Sequence, residues 1–460
     1  MVHITIGLTL GFAFVIPPIL YIQSILGKDK KLDFFNPNII VPVFWLLKVP
    51  FLIAIGINGN SIISYEVRSV VGSKFTSISL YYAVLTLSSF AALMIGVKSK
   101  FASYISKKLP LIRVKKHSTS SGLYLSVVYI LAFGFFVYSL WDVGLYILYN
   151  SSLRTRADLG GGYIIKFVRY TFILCSLLVV HRFVAGKNSK ATLFLVLSVT
   201  FILLASYGGR SHAVVMLFSC LLLYLYKTEY NLRKYSRYSY LRGLSLVVIS
   251  GIFMVVFVSF ISALRSTGGL YKLASGSSSV LDETVKSLDV IIERGSGYER
   301  KALLIDHFDS GQFWHGRSYV DLLYAPFPSS LFESPGNKPP VNEGYYIFSL
   351  SRGQSVSPST ARESVRTVTA WPIGNWVGYA NFWVPGLLVY FYISGMIIRL
   401  LYDYIYVSRY SLFSIFLYSA LVFRGVIQLS NPGLIRIVFI LFFSFILLYP
   451  VSIITLNNRS

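Results

Sequence analysis

Residues 77–97 read SISLYYAVLTLSSFAALMIGV, a run without one charged side chain that ends directly on Lys98 and Lys100. At 1.5 Å of rise per residue, a helix of that length matches the roughly 30 Å hydrocarbon thickness of a bilayer. The run predicts a membrane-crossing helix. Runs of similar length and character recur outward from it, near 4–24, 38–57, 122–142, 163–184, 191–207, 211–227, 244–264, 381–400, 411–429 and 433–455. Eleven spans are therefore expected. The composition agrees, since 460 residues with 55% hydrophobic and only 13% charged side chains fall far below the roughly 25% charged content of soluble domains. An ordinary soluble enzyme and a disordered basic tail are both excluded. The first run has no basic segment before it and no small-residue cleavage site after it, so it reads as a retained helix with its N-terminus outside.

Charge sets the orientation. The formal net charge is +24, from 42 Lys and Arg against 18 Asp and Glu. Alternate loops hold most of it, in clusters such as Lys28, Lys30 and Lys31, or Lys98, Lys100, Lys107, Lys108, Arg113, Lys115 and Lys116. Cytoplasmic loops collect Lys and Arg, so these loops are assigned to the cytoplasm, with anionic membrane lipid as their partner. The C-terminus then lies inside. Charges scattered between apolar runs make no basic face for nucleic acid, which is not expected as a partner.

On the opposite side lies one long excursion. The expected organisation is transmembrane helices over 1–264, a large loop over 265–380, and transmembrane helices over 381–460. Within the loop, 11 basic residues balance 11 acidic ones, as in a soluble unit. The apolar spacing of Ser279–Glu293 predicts an amphipathic helix, and Tyr324 to Phe332 reads as a proline-punctuated, membrane-proximal loop. Cys175 and Cys220 both fall within spans, so a disulfide is not expected.

No phosphate loop, HExxH, CxxC or Asp-x-Asp occurs, and neither a nucleotide, a metal nor another cofactor is expected. The spans also lack interior carboxylates, which argues against ion-coupled transport. What they carry is cationic: Lys48, Lys166, Arg169, Arg424 and Arg436, with Arg68, Lys74, Arg154, Arg156 and Arg210 in the short outer connections. Arginine inside a membrane is costly, and these residues oppose the usual orientation bias. They suggest an anion pocket, against the simpler reading of arginines that snorkel to lipid phosphates. Arg210 lies in Tyr207-Gly208-Gly209-Arg210-Ser211-His212, where glycines admit a ligand to the backbone and the guanidinium can grip phosphate oxygens in pairs. Arg265 leaves the eighth span in a similar setting. The loop adds His307 and Asp309, then Trp314-His315-Gly316-Arg317-Ser318-Tyr319. Trp314 and Tyr319 could offer faces to sugar rings, and a histidine or aspartate could accept a hydroxyl proton.

The span layout, the Gly208-Gly209-Arg210-Ser211 turn, Arg265, Gly316-Arg317-Ser318-Tyr319, Asn337-Lys338-Pro339-Pro340 and Asn375-Trp376-Val377-Gly378-Tyr379-Ala380-Asn381-Phe382 together resemble the Wzy-type repeat-unit polymerases of bacterial O-antigen and related polysaccharides. The resemblance implies an all-α, GT-C-like glycosyltransferase of the inner membrane with its active site facing the periplasm. Such an enzyme joins oligosaccharide units carried on undecaprenyl diphosphate without metal or nucleotide. A chain-length-regulating membrane protein would be a further partner. Arg210 and Arg265 would hold the diphosphate and stabilise it as it leaves, with Arg317 as a third cation. His307, Asp309 or His315 would be the general base. Arg154, Arg156, Arg169, His212, Trp314, Tyr319, Arg424 and Arg436 would line the substrate. In the family an acidic residue often precedes the asparagine-aromatic-glycine run, whereas Pro372-Ile373-Gly374 stands here, so no carboxylate is carried over to that point. Two rivals remain: an O-antigen ligase, with the same donor chemistry and a lipid A core acceptor, and a non-enzymatic flippase of lipid-linked oligosaccharide.

Overall fold

A computed structural model describes residues 2–26, 33, 35–46, 74–114, 120–143, 154–206, 210–228, 297–309, 311–327, 331–332, 343–351, 373–422 and 427–455. The protein is mostly helical, and among the described residues three helices, Thr76–Val97, Gly374–Val407 and Asn431–Leu448, are long and apolar enough to cross a membrane. Shorter apolar helices flank them. The expected span at 244–264, the second half of that at 38–57 and the amphipathic helix at Ser279–Glu293 lie outside the described residues.

In chain order the elements are α1 (Val2–Leu26), α2 (Pro37–Leu46), α3 (Phe75–Val97), α4 (Lys100–Lys108), β1 (Leu111–Val114), α5 (Ser120–Val143), α6 (Arg154–Val184), α7 (Lys190–Ser206) and α8 (Arg210–Lys227). After them come α9 (Tyr298–Phe308), a 3-10 helix (Arg317–Tyr324), α10 (Gly344–Ser351), a 3-10 turn (Gly374–Trp376), α11 (Val377–Val407), α12 (Leu412–Val422), α13 (Asn431–Leu448) and β2 (Ser452–Thr455). Their surfaces run opposite to a soluble protein's. Leu80, Val84, Leu87 and Ile95 of α3, and Val438, Phe442, Phe445 and Ile446 of α13, are exposed. Meanwhile Ser219, Ser394, Ser414, Ser419 and Ser444 are buried between helices. Four of these serines donate to the carbonyl one turn back, as Ser394 Oγ does to Tyr390 O at 2.8 Å. Small polar residues that satisfy themselves in this way let helices approach closely within a bilayer.

The tightest approach joins α3 to α11, which run parallel. A Cβ placed on Gly395 would overlap the Leu93 carbonyl oxygen, and one on Gly96 would overlap that of Tyr392. Further along, Ser103 Oγ donates to Asp403 Oδ2 at 2.5 Å, and Arg399 pairs with the same carboxylate at 2.8 Å. At this end Asp33 Oδ2 accepts hydroxyls from Tyr226, Tyr402 and Tyr406 at 2.5–2.7 Å. Lys98, Lys100, Lys107, Lys108, Lys227, Arg399 and Arg409 gather there too.

Two expectations are corrected. The run at 433–455 is not helical to its end: α13 stops at Leu448, Pro450 falls in a 3-10 turn, and Ser452–Thr455 pairs antiparallel with Leu111–Val114. Proline cannot donate the next helical bond, and the β-branched pair Ile453 and Ile454 favours the extended form. Likewise, within the run at 411–429 the described helix is Leu412–Val422, and residues 427–429 carry no regular secondary structure before a bend at Ser430; residues 423–426 lie outside the described residues.

Candidate functional site

At the end of the bundle away from the lysine-rich one, loop segments close over the starts of α3, α11 and α13. Helix α9 docks on α3. Tyr298 Oη and Ser79 Oγ are hydrogen-bonded, Lys301 Nζ reaches Tyr82 Oη at 3.4 Å, and Lys74 pairs with Asp306 at 3.2 Å. Burial pushes the Tyr298 phenol up to about 12. The Lys74–Asp306 pair is largely exposed on the lysine side and adds little.

The rest of the loop is held by a break in α11. Phe382 and Trp383 leave the helix (φ −142° and +56°), and Pro385 follows. A helical residue at 385 would donate its amide to Asn381 O, but proline has no N–H. The carbonyls released at the break are taken by the loop: Trp314 N–H donates to Ala380 O at 2.9 Å and His315 N–H to Asn381 O at 3.0 Å. The Asn381 side chain continues the pattern. Its Oδ1 accepts from Gly316 N–H at 2.9 Å, and its Nδ2 donates to Ser318 Oγ at 2.8 Å and Val377 O at 2.9 Å.

These contacts hold the short segment that carries several of the candidate residues. His307 lies in the last turn of α9, Asp309 caps it, and His315 and Arg317 follow, with Phe313 stacked on Phe308 at 6.0 Å. Asp309, His315 and Arg317 are exposed or partly exposed. His315 adopts φ +49°, the left-handed region that a non-glycine residue enters only when its surroundings hold it there. His307 is half-buried, and loss of solvent lowers its pKa against an opposing pull from Asp306. On α6, Arg169 is half-buried and precedes Tyr170, whose ring meets His212 at 5.5 Å and Phe439 at 6.1 Å. Arg436 lies one turn before Phe439 on α13, which also contacts the 3-10 helix.

Some expectations need revising. Trp314 is 3% exposed, edge-on to Phe308 and Tyr346 at 5.2 and 5.6 Å, so it is core and offers no open face to a sugar. His212 is similarly buried at 6%. Tyr319 is half-buried and donates to Leu429 O at 2.9 Å. Arg210 is the first residue of α8, and Arg154 and Arg156 begin α6; only their backbones are described. Arg265 and Arg424 lie outside the described residues.

Sequence reading missed the polar core beneath Arg317. Glu343, 2% exposed, accepts the Asn431 amide at 2.6 Å, and Asp321 accepts the Tyr346 hydroxyl at 3.0 Å. Asn431 Nδ2 donates to Ser318 O, while its buried Oδ1 has no partner. Asn375 ties the next segment down through Leu429 N–H at 2.8 Å and Ile427 O at 3.0 Å. No sequence motif marks Glu343 or Asp321, since their burial depends on residues distant in the chain. Among the described residues no three His, Cys, Asp or Glu side chains gather as a metal site needs.

Burial pushes the Glu343 carboxyl up to about 7 from 4.5, with the Asn431 amide pulling the other way. The folded chain therefore keeps this proton to higher pH than the unfolded chain does. Stability from this group is complete below about pH 4.5 and falls as pH rises to about 7. Glu343→Gln should flatten that slope and, at pH 8, exceed the wild type by up to about 3 kcal/mol. Chemical unfolding in detergent between pH 5 and 8 checks this; identical slopes for both proteins would contradict it.

No family model, curated protein or solved structure matches the chain.

Proposed function

We propose that the chain is a membrane glycosyltransferase that polymerises undecaprenyl-diphosphate-linked oligosaccharide repeat units at the periplasmic face of a bacterial inner membrane, crossing that membrane eleven times. The observation that carries this reading is the placement of His307, Asp309, His315 and Arg317 along one short loop segment, folded back through the Phe308–Phe313 stack and pinned to the break in α11 at the end away from the lysine-rich one. Lysine-rich ends face the cytoplasm in membrane proteins, so this surface is read as periplasmic. Arg169 and Arg436, on helices that pack together, supply further positive charge to the substrate region.

In the reaction, an acceptor hydroxyl oxygen bonds to the anomeric carbon of the donor sugar while that carbon's bond to the diphosphate oxygen breaks. The hydroxyl proton passes to His307, Asp309 or His315, and undecaprenyl diphosphate departs with the bonding electrons. Arginine forks suit a diphosphate, which they bind in pairs of hydrogen bonds without losing charge. Arg210, Arg265 and Arg317 are assigned to that group.

Replacing Arg210, Arg265 or Arg317 singly by alanine should lower chain extension about 10²- to 10³-fold, the usual cost of removing one donor to developing charge, at unchanged membrane abundance. Gel profiles of surface polysaccharide measure it. Wild-type long chains in all three variants would remove the assignment. A chromosomal deletion separates the rivals: a polymerase null leaves lipid A core bearing one repeat, whereas ligase and flippase nulls leave bare core.

A further inference from the structure

At the lysine-rich end a cleft of about 450 Å³ opens between α4 and α11, lined by Lys98, Lys100, Ser103, Tyr104, Lys107 and Arg399. Helix α4 is amphipathic. Ala102 and Ser106 are buried, while Phe101 and Tyr104 are 59% and 60% exposed beside the lysines. Aromatic side chains exposed next to lysine on a short helix, directly after a span, are the signature of a helix lying in the headgroup layer. The cleft's walls carry four cations. Asp403 neutralises one by pairing with Arg399 at 2.8 Å, which also fixes that guanidinium at the cleft wall. Lys98 is steadied over the Tyr21 ring at 4.7 Å. The ion pair and the Gly96–Gly395 contact make the far wall rigid, and Ser103 and Tyr104 add hydroxyls at the rim.

We propose that this cleft is a binding site for the phosphate of an anionic glycerophospholipid headgroup. The volume admits a headgroup, the cationic walls meet its phosphate, and Phe101 and Tyr104 reach the acyl boundary. A freely soluble phosphate would satisfy the charge but would leave those two aromatic rings without an apolar neighbour, so a lipid is favoured. The inference uses the membrane reading of the chain but not the reaction proposed above.

The test uses the full chain in maltoside detergent, titrated separately with dioctanoyl phosphatidylglycerol, dioctanoyl phosphatidylcholine and inorganic phosphate, with binding read from the shift in thermal unfolding. Phosphatidylglycerol should bind at least about tenfold more tightly than phosphatidylcholine, since each lysine near the membrane surface favours an anionic headgroup. K98Q/K100Q should cut that preference several-fold, with Lys107 holding the remainder. K187Q/K190Q removes equal charge from exposed positions elsewhere at the same end and should keep the preference. An unchanged preference in K98Q/K100Q, equal loss in K187Q/K190Q, or saturation of the site by phosphate alone would each overturn the proposal. Because neither double variant touches His307, Asp309, His315 or the assigned arginines, chain extension should persist in both. Loss of lipid preference can thus be read separately from failure of the proposed reaction.

Discussion

Asn381→Ala is expected to detach the loop surface from the bundle and to lower stability by about 3–5 kcal/mol. The residue is fully buried, and its side chain serves Gly316, Ser318 and Val377 at once. Alanine would leave a backbone donor, a hydroxyl and a carbonyl without their partner, and each such buried group costs about 1–3 kcal/mol. Asp is no substitute: it restores the acceptor for Gly316 but cannot donate to Val377 O, and it adds a buried charge. The effect should be local as well as global. Proteolysis within 311–318 should accelerate in Asn381→Ala while the helices stay protected, because this residue and two neighbouring backbone bonds hold that stretch to the helix break, whereas Tyr319 and Asp321 have partners of their own further on. Equal cleavage rates and equal unfolding midpoints in wild type and variant would refute this account.

Gly395→Val should be more damaging still. Its added atoms would meet the Leu93 carbonyl and the Val97 amide, which belong to backbone and cannot rotate away. Helices α3 and α11 would have to separate, loosening the packing of Leu93, Met94, Val97 and Ile398, which the structure buries almost completely. Overpacking alone costs about 1–3 kcal/mol; the lost contacts along two long helices take the expected total beyond about 4 kcal/mol. The yield of monodisperse protein on size-exclusion chromatography in detergent is the measurement, and recovery at wild-type levels would show that the helices have room to spare. Gly11 provides a control: a Cβ added there would meet nothing within 4 Å, so Gly11→Ala should be well tolerated.

The helices were legible because their signal is local and long. The uncharged run at 77–97 reappears as α3 within two residues, and the runs at 122–142 and 191–207 as α5 and α7. The site in the loop was not legible. Its order comes from hydrogen bonds between residues far apart in sequence, such as Tyr319 with Leu429 and Glu343 with Asn431, and nothing in the composition of either segment announces them. Trp314 shows the limit most clearly. An aromatic residue in a polar loop suggests an open sugar platform, and only the positions of Phe308 and Tyr346 make it core. Pro385, in contrast, was visible within a predicted span, but the use made of the carbonyls freed at the break depends on Trp314 and His315, far earlier in the chain.

That proline also sets a rule for exchanging parts between proteins of this shape. The loop segment 311–318 and the first turns of α11 form one joint, in which each side completes the other's backbone hydrogen bonding. A chimera cut at the membrane boundary, between loop and span, would split the joint and leave open amides on one half and open carbonyls on the other. Swaps that carry 311–324 together with 377–386 should fold; swaps of either piece alone should not.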